Sequence, residues 1–179
     1  MRKNLRSFAL VLVLGLVTLP ALASAATDLT PLERQVRQEL VLLPYHNLFD
    51  NLEFEVNGDQ VTLSGQVVRP TTKTAAERVV AGLEGVTSVD NRIEVLPLST
   101  HDSRVRYAVA RAIYGSPMLS RYALGARPNI HIIVNQGDVT LKGVVARESE
   151  KNVAFLQANG VSGVFSVTND LQVERSNKS

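Results

Sequence analysis

Residues 57–67 read NGDQVTLSGQV and residues 136–145 read QGDVTLKGVV; further on, residues 85–95 read GVTSVDNRIEV and residues 163–173 read GVFSVTNDLQV. Val61, Leu63, Gly65, Val86, Val89, Asn91 and Val95 recur 78 positions later as Val139, Leu141, Gly143, Val164, Val167, Asn169 and Val173. A solenoid repeats every 20–50 residues or so, so this longer period describes two small domains of about 70 residues each. What the copies share points to fold, and what they do not share points to specialisation.

Working outward, Leu32, Val36, Leu40 and Leu43 recur as one face of a helix, opened by Thr30-Pro31 and followed by a loop at Pro44–Asn47. Leu52, Phe54 and Val56 alternate with Glu53 and Glu55, the period of a half-buried strand, and Asn57-Gly58 signals a hairpin that returns through Val61 and Leu63. Ala76, Val80 and Leu83 restore helical spacing up to Gly85, and Ile93–Val95 forms a last strand. The second copy repeats the order, with Val105, Val109 and Ile113 on its first helix and Gly137-Asp138 in its hairpin. Two departures stand out: Gln60 reads as an insertion in the first hairpin turn, and about six extra residues separate the second copy's first helix from its first strand. The fold class is therefore α+β: two tandem α-β-β-α-β domains, each a small open sheet of about three strands with two helices packed on one face. Domain 1 spans 30–96, a linker 97–101, domain 2 102–174, and a flexible tail 175–179.

The N-terminal 25 residues stand apart. Arg2, Lys3 and Arg6 precede an apolar run at Phe8–Val17, Pro20 breaks it, and Ala23-Ser24-Ala25 supplies a small-residue cleavage site. That is the pattern of a cleaved secretory signal peptide, ending after Ala25 or the neighbouring Ala26, and it directs the protein to the periplasm. Its removal leaves 16 basic and 17 acidic residues, a net charge of −1, so no global basic excess speaks for nucleic acid. The chain has no cysteine, which excludes both disulfide bracing and a lipoprotein anchor; each domain rests on its apolar core, and packing between the copies would help.

The doubled pattern G-x-V-x-L-x-G-x-V, then a helix, then G-V-x-x-V-x-N-x-[IL]-x-V, resembles the BON domain of bacterial envelope proteins, those related to osmotically induced periplasmic proteins and to secretion-ring components. The resemblance covers nearly all of the chain after the signal segment. It implies a non-catalytic module that contacts phospholipid surfaces or mediates protein contacts in the envelope, with no cofactor.

Residue by residue, little speaks for catalysis. Gly58, Gly65, Gly137 and Gly143 read as turn, bulge or close-packing positions, and Asn91 and Asn169 as turn residues that bond the backbone. His46 and His101 fall in loops and His131 on the outer side of a strand, with no metal spacing among them, so all three read as surface histidines and no metal is expected. Gly160–Val164 begins like a nucleophile elbow, but Val164 stands where the closing glycine belongs.

One asymmetry carries more. From Ser103 to Gly137 there is no Asp or Glu, yet there are five arginines: Arg104, Arg106, Arg111, Arg121 and Arg127. Tyr107, Tyr114 and Tyr122 are interleaved, and the extra loop carries Met118-Leu119. On a helical wheel Arg104, Tyr107, Arg111 and Tyr114 fall within about 80° of one another, beside the face formed by Val105, Val109 and Ile113. Arginine binds phosphate in a bidentate way and tyrosine suits the headgroup boundary. The stripe, with Met118, Leu119, Arg121, Tyr122 and Arg127, is thus a candidate peripheral contact with anionic phospholipid. The plainer alternative has the tyrosines covering the edge of the core and the arginines simply solvated. At the level of function, the competing account is a protein-interaction scaffold or stress-protective holdase, with envelope proteins as partners and no direct lipid contact.

Overall fold

The computed structural model describes residues 29–124 and 129–174; the signal segment, the tail and Arg127 lie outside the described residues. Helix α1, Pro31–Leu42, starts where Thr30 and Glu33 cap each other: the Glu33 N–H donates to Thr30 Oγ1 at 3.2 Å, and the Thr30 N–H donates to Glu33 Oε2 at 2.6 Å. Strand β1 (Asn51–Asn57) runs antiparallel to β2 (Gln60–Val67). Helix α2 (Pro70–Ala81) follows, and β3 (Ser88–Asn91) and β4 (Glu94–Val95) lie parallel to β2. Both helices cover one face. Val36 and Leu40 of α1 and Ala76 and Val80 of α2 meet Val61, Leu63 and Val67 of β2, all buried, and each large aliphatic side chain so buried contributes about 1.5–3 kcal/mol.

Domain 2 repeats this with α3 (Thr100–Gly115), a short 3-10 helix at Ser120–Ala123, β5 (Ile130–Asn135), β6 (Asp138–Val145), α4 (Glu148–Asn159), β7 (Ser166–Asn169) and β8 (Gln172–Val173). Its register is that of domain 1 displaced by 78: Phe54 faces Leu63 as Ile132 faces Leu141. The two hairpins are therefore the same length, and Gln60 is no insertion. Gln60 pairs with Asn57 as Asp138 pairs with Asn135. What differs is the glycine's place in a two-residue turn, first at Gly58 (φ 65°) and second at Gly137 (φ 86°), where Gln136 also takes a positive φ of 53°.

The third strand of each domain is split in two, because β2 and β6 carry a glycine in the left-handed region at mid-strand, Gly65 (φ 102°) and Gly143 (φ 122°). A Cβ there would collide with the carbonyl oxygen of Asn51 or Asn129, at the head of the neighbouring strand. Asn91 and Asn169 bridge the break. Asn91 Nδ2 donates to the Lys73 carbonyl at 3.1 Å while its Oδ1 accepts from the Ile93 N–H; Asn169 bonds Lys151 and Leu171 in the same way.

Helix α3 begins earlier than the spacing of apolar residues suggests. Ser99 caps it through the Asp102 N–H at 3.1 Å, so Thr100 and His101 belong to the helix and not to a linker. Leu96, just after β4, is buried, and the free connection shrinks to Pro97–Leu98.

The domains touch. The loop between α1 and β1 reaches onto domain 2, where Leu48 and Phe49 pack against its core and the Ile132 N–H donates to the Leu48 carbonyl at 2.8 Å. Asp50 holds the loop in shape, accepting from the Asn47 N–H at 3.1 Å and the Val68 N–H at 2.7 Å. Burial pushes its carboxyl upward against those two bonds. His131 is not a free surface residue: it is half-buried and its ring stacks on His46, centroids 5.9 Å apart. Lys142 Nζ meets Glu53 Oε1 at 2.6 Å across the same junction.

Candidate functional site

Helix α3 is anchored along one side to the β5–β6 hairpin. Asp102 is buried and accepts from the Gln136 N–H at 3.0 Å and the Gly137 N–H at 2.9 Å. One turn on, Arg106 is also buried and donates from Nη2 to the Val134 carbonyl at 2.7 Å. Burial draws its guanidinium below the usual arginine value, with Asp102 and Asp50 opposing that shift. At the far end the Tyr114 hydroxyl donates to the Ile130 carbonyl at 2.5 Å, and burial raises the phenol's pKa.

The opposite side of α3 faces solvent. Arg104, Tyr107 and Arg111 are exposed, and among the described residues neither arginine has an ion-pair partner. Tyr107 leans on Phe49 of domain 1, edge to face at 5.1 Å, yet remains about two-thirds exposed (65%). Met118 is exposed just past the helix end.

The remainder of the anticipated stripe turns inward. Leu119 and Tyr122 are core residues and Tyr114 is half-buried against that core. The wheel groups Tyr114 with Arg104, Tyr107 and Arg111, but the side chain is long enough to fold over the sheet edge and satisfy the Ile130 carbonyl. Tyr122 is held by three bonds: its hydroxyl donates to Glu150 Oε2 at 2.7 Å and accepts from Arg121 Nη2 at 2.8 Å and from the Ala146 N–H at 2.7 Å. Arg121 pairs with Glu150 Oε1 at 2.6 Å. Burial works to raise the Glu150 carboxyl but is outweighed by the Tyr122 hydroxyl, Arg121 and the Arg147 N–H, and its pKa lies below 4.5. Arg121 and Tyr122 thus tie the extra loop to α4. The surface that survives is Arg104, Tyr107, Arg111 and Met118.

The spacing of apolar residues marks neither Asp102 as a turn anchor nor Arg106 as a buried donor. The Ser99-x-x-Asp102 spacing was the available signal for the first; Arg106 follows the core residue Val105 directly, outside the apolar spacing, so nothing marked it as buried. His101, expected in a loop, lies in the first turn of α3 with its ring stacked on Phe165 at 5.8 Å.

A model of the BON domain matches residues 27–97 and 117–175. The chain belongs to the BON-domain family. One match falls in each domain, and residues 98–116, which contain all of α3, lie between them. Osmotically-inducible protein Y of Escherichia coli (strain K12) is 32% identical over 133 residues, 72% of this chain and 66% of that protein. The C-terminal domain of CdsD, described as the structural protein of the type III secretion system of Chlamydia trachomatis, aligns at 15% identity and a TM-score of 0.34, covering 83% of this chain and all of that one. A second CdsD structure aligns at 13% and 0.27, over 80% of this chain and 92% of its own. Among the described residues no helix is long and apolar enough to cross a membrane, and no group of three or more His, Cys, Asp or Glu side chains is placed to hold a metal.

Proposed function

We propose that this tandem BON protein is an exported, stress-related binding module, not a catalyst, and that it attaches peripherally to anionic phospholipid through the outer face of α3. The observation that carries the reading is the exposed row Arg104, Tyr107 and Arg111, whose two guanidinium groups have no carboxylate partner among the described residues. Guanidinium groups left unpaired beside an amphipathic ring are suited to phosphate headgroups. Each basic residue near an anionic surface contributes about 1 kcal/mol, so two of them with Tyr107 and Met118 give weak, salt-sensitive binding. The counterpart α1 carries Glu33, Arg34, Arg37 and Glu39 and lacks this character. Kinship with an osmotically inducible protein supports the stress-related setting, and the N-terminal sequence pattern supports export.

The test is co-sedimentation of residues 26–179 with vesicles of neutral or anionic phospholipid at low and high salt, the apolar segment Phe8–Val17 being omitted because it would enter bilayers by itself. Binding to anionic vesicles alone, weakened by salt and abolished by Arg104→Glu with Arg111→Glu, is the expected result. Binding that survives the double reversal in a folded protein would refute the role of α3.

A further inference from the structure

The two domains treat the open edge of their sheets differently. In domain 2 the outward backbone groups of β5 are capped one after another. The Ile130 carbonyl accepts from the Tyr114 hydroxyl, the Ile132 N–H donates to the Leu48 carbonyl, and the Val134 carbonyl accepts from Arg106. Because the domain 1 hairpin has the same register, Leu52, Phe54 and Val56 stand where Ile130, Ile132 and Val134 stand, and their backbone groups point out of the β1 edge. Among the described residues the caps are missing there. The α1 positions that match Arg106 and Tyr114 hold Glu33, whose carboxylate is turned to the Thr30 N–H, and Val41, which has no polar group. Among the described residues no hydrogen bond reaches the outward groups of Leu52, Phe54 or Val56.

Beside this bare edge lies an open groove of about 470 Å³, bounded by Leu40 and Val41 of α1, Leu52 and Phe54 of β1, and His46 and His131 from the domain junction. An unpaired edge is a template for another strand, and a groove next to it receives alternate side chains of that strand.

The charges on β1 select the occupant. Glu53 and Glu55 project from the face away from the helices and are both exposed. If two copies paired their β1 edges antiparallel, every register overlapping more than one of Leu52, Phe54 and Val56 would set a glutamate opposite a glutamate. Like charges directly opposite destabilise a pair of strands, so the edge is guarded against its own kind. A strand with a basic residue opposite Glu55 meets no such barrier, while Glu53 already holds Lys142 Nζ at 2.6 Å.

We propose that β1 is a docking edge for an extended segment of another polypeptide, with alternating apolar and basic residues, which adds to the domain 1 sheet as a further strand. Its apolar side chains enter the groove against Leu40, Val41 and Phe54, and its basic side chains face the edge at Glu55, beside the Glu53–Lys142 pair. The site is separate from the outer face of α3 and does not depend on lipid binding.

The test uses the purified protein and a labelled peptide of alternating valine and lysine, read by fluorescence anisotropy, with amide exchange at Leu52, Phe54 and Val56 followed by NMR. Saturable binding that slows exchange at those amides is expected. It should be lost with Val41→Glu, which puts a charge in the groove at an exposed helix position, and weakened about fivefold by Glu55→Lys. A peptide whose valines are replaced by proline, with its charge kept, should not bind. No binding, equal binding of the proline peptide, or full affinity in Val41→Glu would overturn the proposal. So would slow exchange of those amides in the protein alone: independent of concentration it would mean the chain's own segments already hold the edge, and dependent on concentration that a second copy does.

Discussion

The Ile132 N–H of domain 2 donates to the Leu48 carbonyl of domain 1 at 2.8 Å, so a loop of one BON domain caps the sheet edge of the other. Leu48 is held in place by its neighbour Phe49, which packs on the domain 2 core and against Tyr107. The capped edge and the exposed face of α3 are therefore supported by one loop, Pro44–Asp50.

Phe49→Ala should lower the stability of domain 2 although the residue belongs to domain 1. A fully buried phenylalanine costs about 3–5 kcal/mol on truncation, and a half-buried one about half of that. Urea denaturation followed at a domain 2 signal should show the midpoint fall. An unchanged midpoint would mean the loop rests on domain 2 without supporting it.

Asp102→Ala should strip the acceptors from two backbone N–H groups in the β5–β6 turn. Bonds to a charged acceptor contribute about 1.5–3 kcal/mol each and a buried donor left bare is costly, so a loss of about 3 kcal/mol is expected. Asp102→Asn keeps one acceptor oxygen and should fall between. Hydrogen exchange at Gln136 and Gly137 should quicken in the same order, which a general loss of helix α3 would not reproduce.

The duplication was legible because the core demands it: the apolar positions of β2 and β6 and the asparagines before the last strand cannot drift without exposing apolar surface or orphaning a carbonyl. Helical spacing likewise separated the face of Val105, Val109 and Ile113 from that of Arg104 and Arg111. It could not sort the residues at the boundary. Tyr114, Tyr122 and Arg106 look amphipathic in sequence, and only the position of a carbonyl at the sheet edge, or of Glu150 twenty-eight residues beyond Tyr122, decides that they turn inward. The stacking of His46 on His131 was invisible for a related reason. It depends on how two outer surfaces meet, and no periodicity within one domain encodes that.

Gly65→Ala and Gly143→Ala should each cost more than about 2 kcal/mol, since a left-handed φ adds strain to a collision with the backbone of Asn51 or Asn129. Gly58→Ala is the control. Its φ is also positive but nothing lies near its Cβ position, so only the conformational cost of about 1–2 kcal/mol applies. Equal losses at all three positions would show that the close approach to the neighbouring strand contributes nothing.

Glu150→Gln should reveal how the extra loop is tied to α4. The folded protein holds the Glu150 carboxyl below 4.5, because the Tyr122 hydroxyl, Arg121 and the Arg147 N–H together outweigh the effect of burial. A depressed carboxyl contributes stability that is present above its unfolded value and is lost as pH falls through its folded value. At neutral pH the glutamine variant should be less stable by about 1–3 kcal/mol, and the gap should close as the pH is lowered below 4.5. Asp50 acts in the opposite sense. Its carboxyl is raised above 3.8 by burial, so its contribution declines as pH rises through that window. Since Asp50 is common to both proteins, the difference between them isolates Glu150. Denaturant unfolding of both from neutral to strongly acidic pH measures it, and a gap that stayed constant on acidification would mean that the carboxylate charge is not what holds Tyr122 and Arg121 in place.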